Sequence, residues 1–397
     1  MEHYDVIVIG CGPAGLRAAK VLAEKDVKVL ALDKKQEIGV PVRCGEGLGM
    51  GWFKRLNLKS DASWAVQPIN GATLWSPAGK KIEIKFDKTS GYVLERRMFE
   101  KFLAREAALA GAKIKVKSHV ISTERKNGKV ELEVNNLGEK YRVTADLIIA
   151  ADGVDSLTAK RLGLNTVNKL ADIDSGFQYE MAGIDFVDPE HIHLFFGNDT
   201  APRGYCWIFP KGDHEANVGI GIGSYCEKTA KYYLDKFIES QSGLAKGSII
   251  HVNSGAIPVG GFMVDMVLDN LIVVGDAAHQ VDPIHGGGMG IAMEASTLAA
   301  EIAAEAVKKK DYSKEFLSQY NSRWYEKRGN QLKKRLKARY FMEQLNDGEF
   351  EAIADSLTGD QILALGNGEV TDKAKFMGKL LLKKPSIGKK LMGSLNK

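Results

Sequence analysis

Two glycine-rich loops, far apart in the chain, constrain its fold more than any other feature. The first is Gly10-Cys11-Gly12-Pro13-Ala14-Gly15, directly after the apolar run Tyr4 to Ile9. The second is Gly275-Asp276-Ala277-Ala278-His279, followed by Pro283 and then Gly286-Gly287-Gly288-Met289-Gly290. Each follows a strand-like run and opens into a helix-like one. Two such loops can grip two parts of one long cofactor, which points to a flavoprotein.

The first loop has a physical logic. Asp5 to Ile9 reads as a buried parallel strand and Leu16 to Lys25 as an Ala-rich helix. Gly10 allows a tight turn, Gly12 lets backbone approach a pyrophosphate, and Gly15 permits close helix–strand packing. The helix N-terminus attracts the anion. A second strand, Val27 to Leu32, ends at Asp33, about 20 residues past the glycines, where an acid can bind a ribose hydroxyl. The bland alternative is a glycine turn with no nucleotide. Strand, helix, second strand and acid in register argue against it.

The second loop distinguishes FAD from NAD. Asn270 to Val274 reads as another buried strand, and it delivers Asp276. A third element is Ala151-Asp152-Gly153-Val154-Asp155-Ser156, after the strand Asp146 to Ala150. With Leu94-Glu95-Arg96-Arg97, these segments resemble the FAD-dependent group that includes aromatic hydroxylases and geranylgeranyl reductases. The resemblance implies that the first loop holds the ADP half and the later loop the ribityl and flavin half. Asp276 would contact the ribityl or pyrophosphate region, and Gly286 to Met289 would run beside the isoalloxazine. It likewise implies cofactor contacts at Gly10, Gly12, Ala14, Gly15, Asp33, Lys34, Arg96, Val120, Asp152, Gly287, Gly288 and Met289. The plain alternatives are a solvated turn for Asp152 and a surface charge for Arg96.

Two further segments bear on the substrate. Pro202-Arg203-Gly204-Tyr205-Cys206-Trp207-Ile208-Phe209-Pro210 fits the pattern Pro-x-x-Tyr-x-Trp-x-Phe-Pro. Strand alternation puts Tyr205, Trp207 and Phe209 on one face. Flat aromatic walls suit a long apolar polyene; an ordinary core strand is the competing reading. Pro41-Val42-Arg43-Cys44-Gly45-Glu46-Gly47 has glycines that permit close approach. Both segments resemble those of geranylgeranyl reductases, most closely the archaeal branch acting on digeranylgeranylglycerophospholipids, and the resemblance covers nearly the whole chain. It implies that the Cys44 loop crosses near the flavin, with Gly45 and Gly47 as backbone contacts, and that Tyr205, Trp207 and Phe209 touch substrate. Cys44, Tyr205 and Trp207 are then the candidate catalytic residues.

The implied fold is α/β: a Rossmann-like FAD-binding domain of the aromatic-hydroxylase type, an antiparallel-sheet substrate domain and a helical C-terminal region. Residues 1–70, 95–165 and 255–310 would form the first. Residues 71–94 and 166–254, where apolar and polar residues alternate, would form the second, and 311–397 the basic third.

Composition fits. At 397 residues the chain exceeds one ordinary core, and 44% hydrophobic residues are ample for burial. No segment reaches the roughly 18 to 20 apolar residues of a spanning helix, and no signal peptide is visible. Cys11, Cys44, Cys206 and Cys226 lack close metal-ligand pairing, and suggest a reducing compartment. The net charge of +5 is modest, but Lys333-Lys334-Arg335, Lys337 and Arg339 form a basic cluster. The tail holds Lys373, Lys375, Lys379, Lys383, Lys384, Lys389, Lys390 and Lys397 among apolar residues, with no acid after Asp372. Such a tail can lie on an anionic membrane surface, or pack as a solvated helical face. A cytoplasmic enzyme, peripheral at the membrane, is expected. Nucleic acid is not, because no binding fold accompanies the charge.

The chemistry expected is saturation of geranylgeranyl double bonds in ether lipids. An isolated trisubstituted alkene has no carbonyl to stabilise an enolate, so protonation toward a tertiary cation, with hydride from reduced flavin, is the favoured course. Cys44, Tyr205, His285 or a water could donate the proton, while loop hydrogen bonding is the plainer role for His279 and His285. A flavin monooxygenase shares all the cofactor loops, and a non-catalytic flavin or lipid carrier shares the binding features. With no second dinucleotide fingerprint, the electron donor is either ferredoxin or NAD(P)H.

Overall fold

A computed structural model describes residues 1–186, 188–367 and 384–395. Two compact units emerge, each assembled from three stretches of chain. The first comprises Met1–Val42, Arg96–Asp172 and Ile257–Lys334; the second comprises Arg43–Glu95, Ile173–Ala256 and Arg335–Lys397.

The first unit is built on an eight-stranded sheet. Glu2–Ile9 lies at its centre, parallel to Glu139–Ala150 on one side and to Val29–Leu32 on the other, with Val6 opposite both Leu147 and Val29. Strands covered on both faces should read as unbroken apolar runs. Val6, Ile7 and Val8 are fully buried, as are Leu147 to Ala150. Leu271–Val273 continues the parallel set beyond Glu139–Ala150. The helix Pro13–Ala23 starts with proline at its first turn, where the missing N–H costs nothing.

The second unit holds a seven-stranded sheet. Ile173–Ala182, Glu215–Gly223, Tyr205–Pro210 and His191–Phe195 run antiparallel in that order. The expected antiparallel sheet is in fact mixed, because His191–Phe195 pairs parallel with Gly71–Trp75. A long excursion of chain separates those two strands, and parallel neighbours need one. One face of the sheet buries Cys206, Ile208, Val218 and Ile220 against Leu234 and Phe237 of the helix Ala230–Ser240.

The division differs from the sequence reading at three places. Residues 166–172 belong with the first unit. Residues 43–70 belong with the second unit, because Gly47–Gly49 and Gln67–Ile69 both pair with Gly91–Val93 in a small sheet. The region from 311 is not a separate helical part. Tyr320 is buried in the first unit, where its hydroxyl accepts from Gln280 Nε2 at 2.8 Å. Arg339 belongs to the second, and is set apart from the rest of the basic cluster. It is buried, and donates to both oxygens of Asp174 at 2.7 and 3.0 Å.

The basic tail falls largely outside the described residues, Lys373, Lys375, Lys379, Lys383 and Lys397 included. The described part, Pro385–Leu395, packs on its own unit. Ile387 is buried with Leu345 and Ala352, and Ser386 Oγ donates to Glu349 at 2.6 Å, which also pairs with Lys390. Among the described residues, no helix is long and apolar enough to cross a membrane.

Candidate functional site

In the first unit, the glycine loops meet. Gly275 adopts φ +69°, and a Cβ there would lie 3.3 Å from that of Ala14 and 3.4 Å from that of Ala292. The two loops therefore pack directly on each other. The third element joins them: Ser156 Oγ donates to the carbonyl of Ala277 at 3.2 Å. Gly10, at φ +99°, has no room for a side chain, since a Cβ would sit 2.3 Å from the carbonyl oxygen of Ala151. Gly15 is tighter still, with a Cβ falling 1.8 Å from the oxygen of Gly10. Turn and close packing thus take the forms anticipated for these two glycines.

Gly12 behaves differently. Nothing lies within 4 Å of the Cβ position it lacks. It caps the helix Pro13–Ala23 in an extended conformation, beside amides that have no intrahelical partner. The chain keeps this space open without needing it for its own packing, as a pyrophosphate cradle requires. Gly288 caps Met289–Lys309, whose first amides are likewise unpaired within the helix, but its surroundings are closer: a Cβ there would lie 3.1 Å from Val281 and 3.2 Å from Asp276 Oδ1.

Polar groups around the loops fit the same ligand. Asp152 uses one carboxylate oxygen to accept from the Thr158 amide at 2.8 Å, while its Oδ1 is buried with no hydrogen-bond partner. Burial raises its carboxyl above the usual aspartate range. Asp276 is also pushed up by burial, against the opposing charges of Arg96 and His279. Arg96 opens the helix Arg96–Leu109 and is held by Glu100 at 2.7 Å. A long ligand bearing hydroxyls and phosphates answers both acids and the open amides, so the residues present fit FAD.

Other expected contacts have different surroundings. Asp33 is turned inward. Its two oxygens accept from the amides of Cys11 and Lys35, both at 2.8 Å, and so fasten the loop to the second strand. Lys34 is exposed, 3.7 Å from Asp155. Val120 is buried where the hairpin ladder slips, and its carbonyl accepts from Arg161 at 2.8 Å. His279 is a loop clamp, its ring nitrogens facing the carbonyls of Gly261 at 2.6 Å and Thr166 at 3.2 Å. His285 Nδ1 accepts from Gly287 at 3.1 Å and its Nε2 lies 3.3 Å from Asp282.

In the second unit the aromatic row forms as alternation required. Tyr205 and Trp207 have ring centroids 5.8 Å apart, Trp207 and Phe209 6.2 Å. Cys206 and Ile208 point the other way, into the core. The Cys44 loop lies on the aromatic side. A Cβ on Gly45 or Gly47 would come within 3.1 Å of the Phe209 ring, so glycine is what lets the loop settle there. The thiol Sγ accepts from the Glu46 amide at 3.2 Å. Cys206 and Cys11 are buried, and burial drives both thiols well above their ordinary range, which makes them inert.

The comparisons with known proteins bear on this arrangement. Residues 3–201 match an FAD-binding domain family, and residues 172–257 match the geranylgeranyl reductase catalytic domain. The chain is 40% identical to the digeranylgeranylglycerophospholipid reductase of Methanocaldococcus jannaschii, over 97% of each sequence. It is 41% identical to that of Methanosarcina acetivorans, over 90% of this chain and 89% of the relative. The chain belongs to the geranylgeranyl reductase family. A crystal structure of a geranylgeranyl bacteriochlorophyll reductase-like protein from Thermoplasma acidophilum superposes with a TM-score of 0.90 at 35% identity, covering 99% of this chain and 100% of that one. A flavin-dependent brominase shares the fold, with a TM-score of 0.74, but only 19% of its sequence.

Sequence reasoning missed the polar groups of this reductase family member's second unit. Lys211, only 4% exposed at its side chain, reaches Glu180 at 2.6 Å, Glu95 at 2.9 Å and Glu46 at 3.2 Å. Burial alone would lower the lysine's pKa; the carboxylates outweigh it and hold the ammonium charged. Gln178 and Asn217 connect to the same loop. A lysine in a turn or a glutamine in a half-apolar strand gives no sequence signal of its partners. The alternation that put Trp207 on one face could have suggested Gln178 and Asn217 on the neighbouring strands.

Proposed function

We propose that this chain saturates the carbon–carbon double bonds of geranylgeranyl chains carried on glycerol ether lipids, for membrane phospholipid synthesis. One observation carries the reading. The segment that matches the reductase catalytic domain contains the aromatic row Tyr205, Trp207 and Phe209, on which the Cys44 loop rests. Each double bond takes up one proton and one hydride. Reduced FAD supplies the hydride.

The chain's own residues do the rest. The aromatic row offers an apolar surface for the polyene and a π-face toward positive charge developing at the tertiary carbon. Cys44 and Tyr205 are the candidate proton donors on that face, and a positional role for Cys44 fits its thiol's contact with the Glu46 amide. Electrons come from reduced ferredoxin or NAD(P)H. Exposed Lys333, Lys334 and Lys337 on the helix Asn330–Met342 support peripheral docking on an anionic membrane, where such a lipid resides.

Trp207→Ala tests the aromatic wall. Turnover of long prenyl substrates should fall at least about tenfold with FAD content unchanged. Truncating a buried tryptophan costs about 3 to 5 kcal/mol, so a thermal melt accompanies the assay. An unchanged rate and chain-length preference would place Trp207 in the ordinary core.

A further inference from the structure

Three strands of the second sheet align two rows of side chains on the face that carries the Cys44 loop. In one row Gln178 is opposite Gly219, and Gly219 opposite Trp207. In the next, Glu180 is opposite Asn217, and Asn217 opposite Phe209. Gly219 is the gap in the first row. A Cβ there would lie 2.4 Å from the indole ring, so its absence lets the indole lie across the middle strand. The Trp207 N–H then donates to Gln178 Oε1 at 2.8 Å. The other end of the same amide, Nε2, donates to the carbonyl of Cys44 at 3.0 Å. Oxygen toward indole and nitrogen toward carbonyl is the only orientation that satisfies both partners.

The loop is held again at Glu46. This residue is buried in the left-handed region at φ +72°, a conformation that persists in a non-glycine residue only where its surroundings enforce it. Asn217 Nδ2 donates to its carboxylate at 2.5 Å, and Lys211 lies 3.2 Å away. The loop thus has two buried polar anchors, one on each side of Gly45.

We infer that Gln178 is a positioning residue for the reaction, fixing the Cys44 loop and the Trp207 indole in one geometry through a single amide. This rests on the function proposed above, since the loop and the indole matter to turnover only if the prenyl chain lies against them. Gln178 itself has both ends occupied and takes no chemical part.

Gln178→Glu separates its two bonds. The carboxylate still accepts from the indole, but it has no donor for the Cys44 carbonyl and repels it. Gln178→Met, neutral and of similar length, loses both bonds and serves if the charged variant fails to fold. Both are made with Cys226→Ser, because Cys226 is the other thiol that is not fully buried. Three quantities are read on FAD-loaded protein: flavin content, the rate of Cys44 alkylation by a maleimide, and kcat and KM for a digeranylgeranyl ether lipid. With flavin content unchanged, alkylation should quicken about tenfold, and kcat should fall about ten- to a hundredfold with KM changed much less. Alkylation and kcat both at parental values in either folded variant would overturn the inference. If the parent protein itself fails to reduce the lipid while alkylation still quickens, the proposed substrate is wrong and the clamp stands.

Discussion

Replacing Gly12 with valine is expected to give a folded protein that purifies without flavin. The position is extended, at φ −79° and ψ −174°, which valine adopts freely, and no atom of the chain lies within 4 Å of the new Cβ. Losing glycine as the helix cap costs about 1 kcal/mol. Flavin pays the larger penalty, because the added methyl groups stand where the pyrophosphate must approach the helix amides. Occupancy should drop at least about tenfold, equivalent to about 1.4 kcal/mol of binding. Gly15→Val makes the contrast. Its Cβ would fall 1.8 Å from the oxygen of Gly10, and Gly10 is itself pinned against Ala151, so neither side can yield. That variant should fail to fold. Flavin absorbance and circular dichroism on the pair decide the matter. Full flavin content in Gly12→Val would mean that the pyrophosphate is held elsewhere.

Lys211→Met should produce a large loss of stability. The ammonium lies among three carboxylates, and its removal leaves the buried Glu46 facing Glu180 and the partly exposed Glu95 without it. Breaking a buried ion pair by deleting one partner costs about 3 to 5 kcal/mol. The pH dependence has a definite sign. The folded protein holds the lysine's pKa above its ordinary 10.5, so its contribution is fully present below that value and is lost as pH rises beyond it. The parent should therefore weaken steeply in alkali. The variant should be weaker at neutral pH, with a flatter decline above pH 10.5. Thermal melts of both proteins from pH 7 to 11.5 would reveal this. Superimposable curves would mean that the cluster contributes no net stability.

The cofactor cradle was legible in the sequence because its physics is local. A glycine that must turn or admit backbone, a proline at a first helical turn and an apolar parallel strand each leave a mark within a few residues. Gly10, Gly15 and the meeting of the first and last loops follow from such marks together with the resemblance they carry. The aromatic face was legible from alternation alone. What escaped depends on partners distant in sequence. Asp33 was expected to meet ribose, and nothing in the sequence showed that its carboxylate also fastens the Cys11 and Lys35 amides. Arg339 was one more cation in a basic run, and only the fold sets it against Asp174. The grouping of 43–70 turned on the pairing of three short strands, none of which exceeds three residues. Gln178 has meaning only once Gly219 on the neighbouring strand opens the row between it and Trp207, and Asn217 and Lys211 only once the fold brings Glu46 beside them.

Shared cofactor loops leave a monooxygenase and a reductase alike until substrate meets reduced flavin, and that encounter is the most direct test. The protein, loaded with FAD, is reduced with dithionite under strict anaerobiosis and mixed with a digeranylgeranylglycerophospholipid. The flavin band should return on mixing, and mass spectrometry should find the lipid heavier by two hydrogens per double bond. A flavin that stays reduced until oxygen is admitted, followed by a hydroxylated product, would contradict the account.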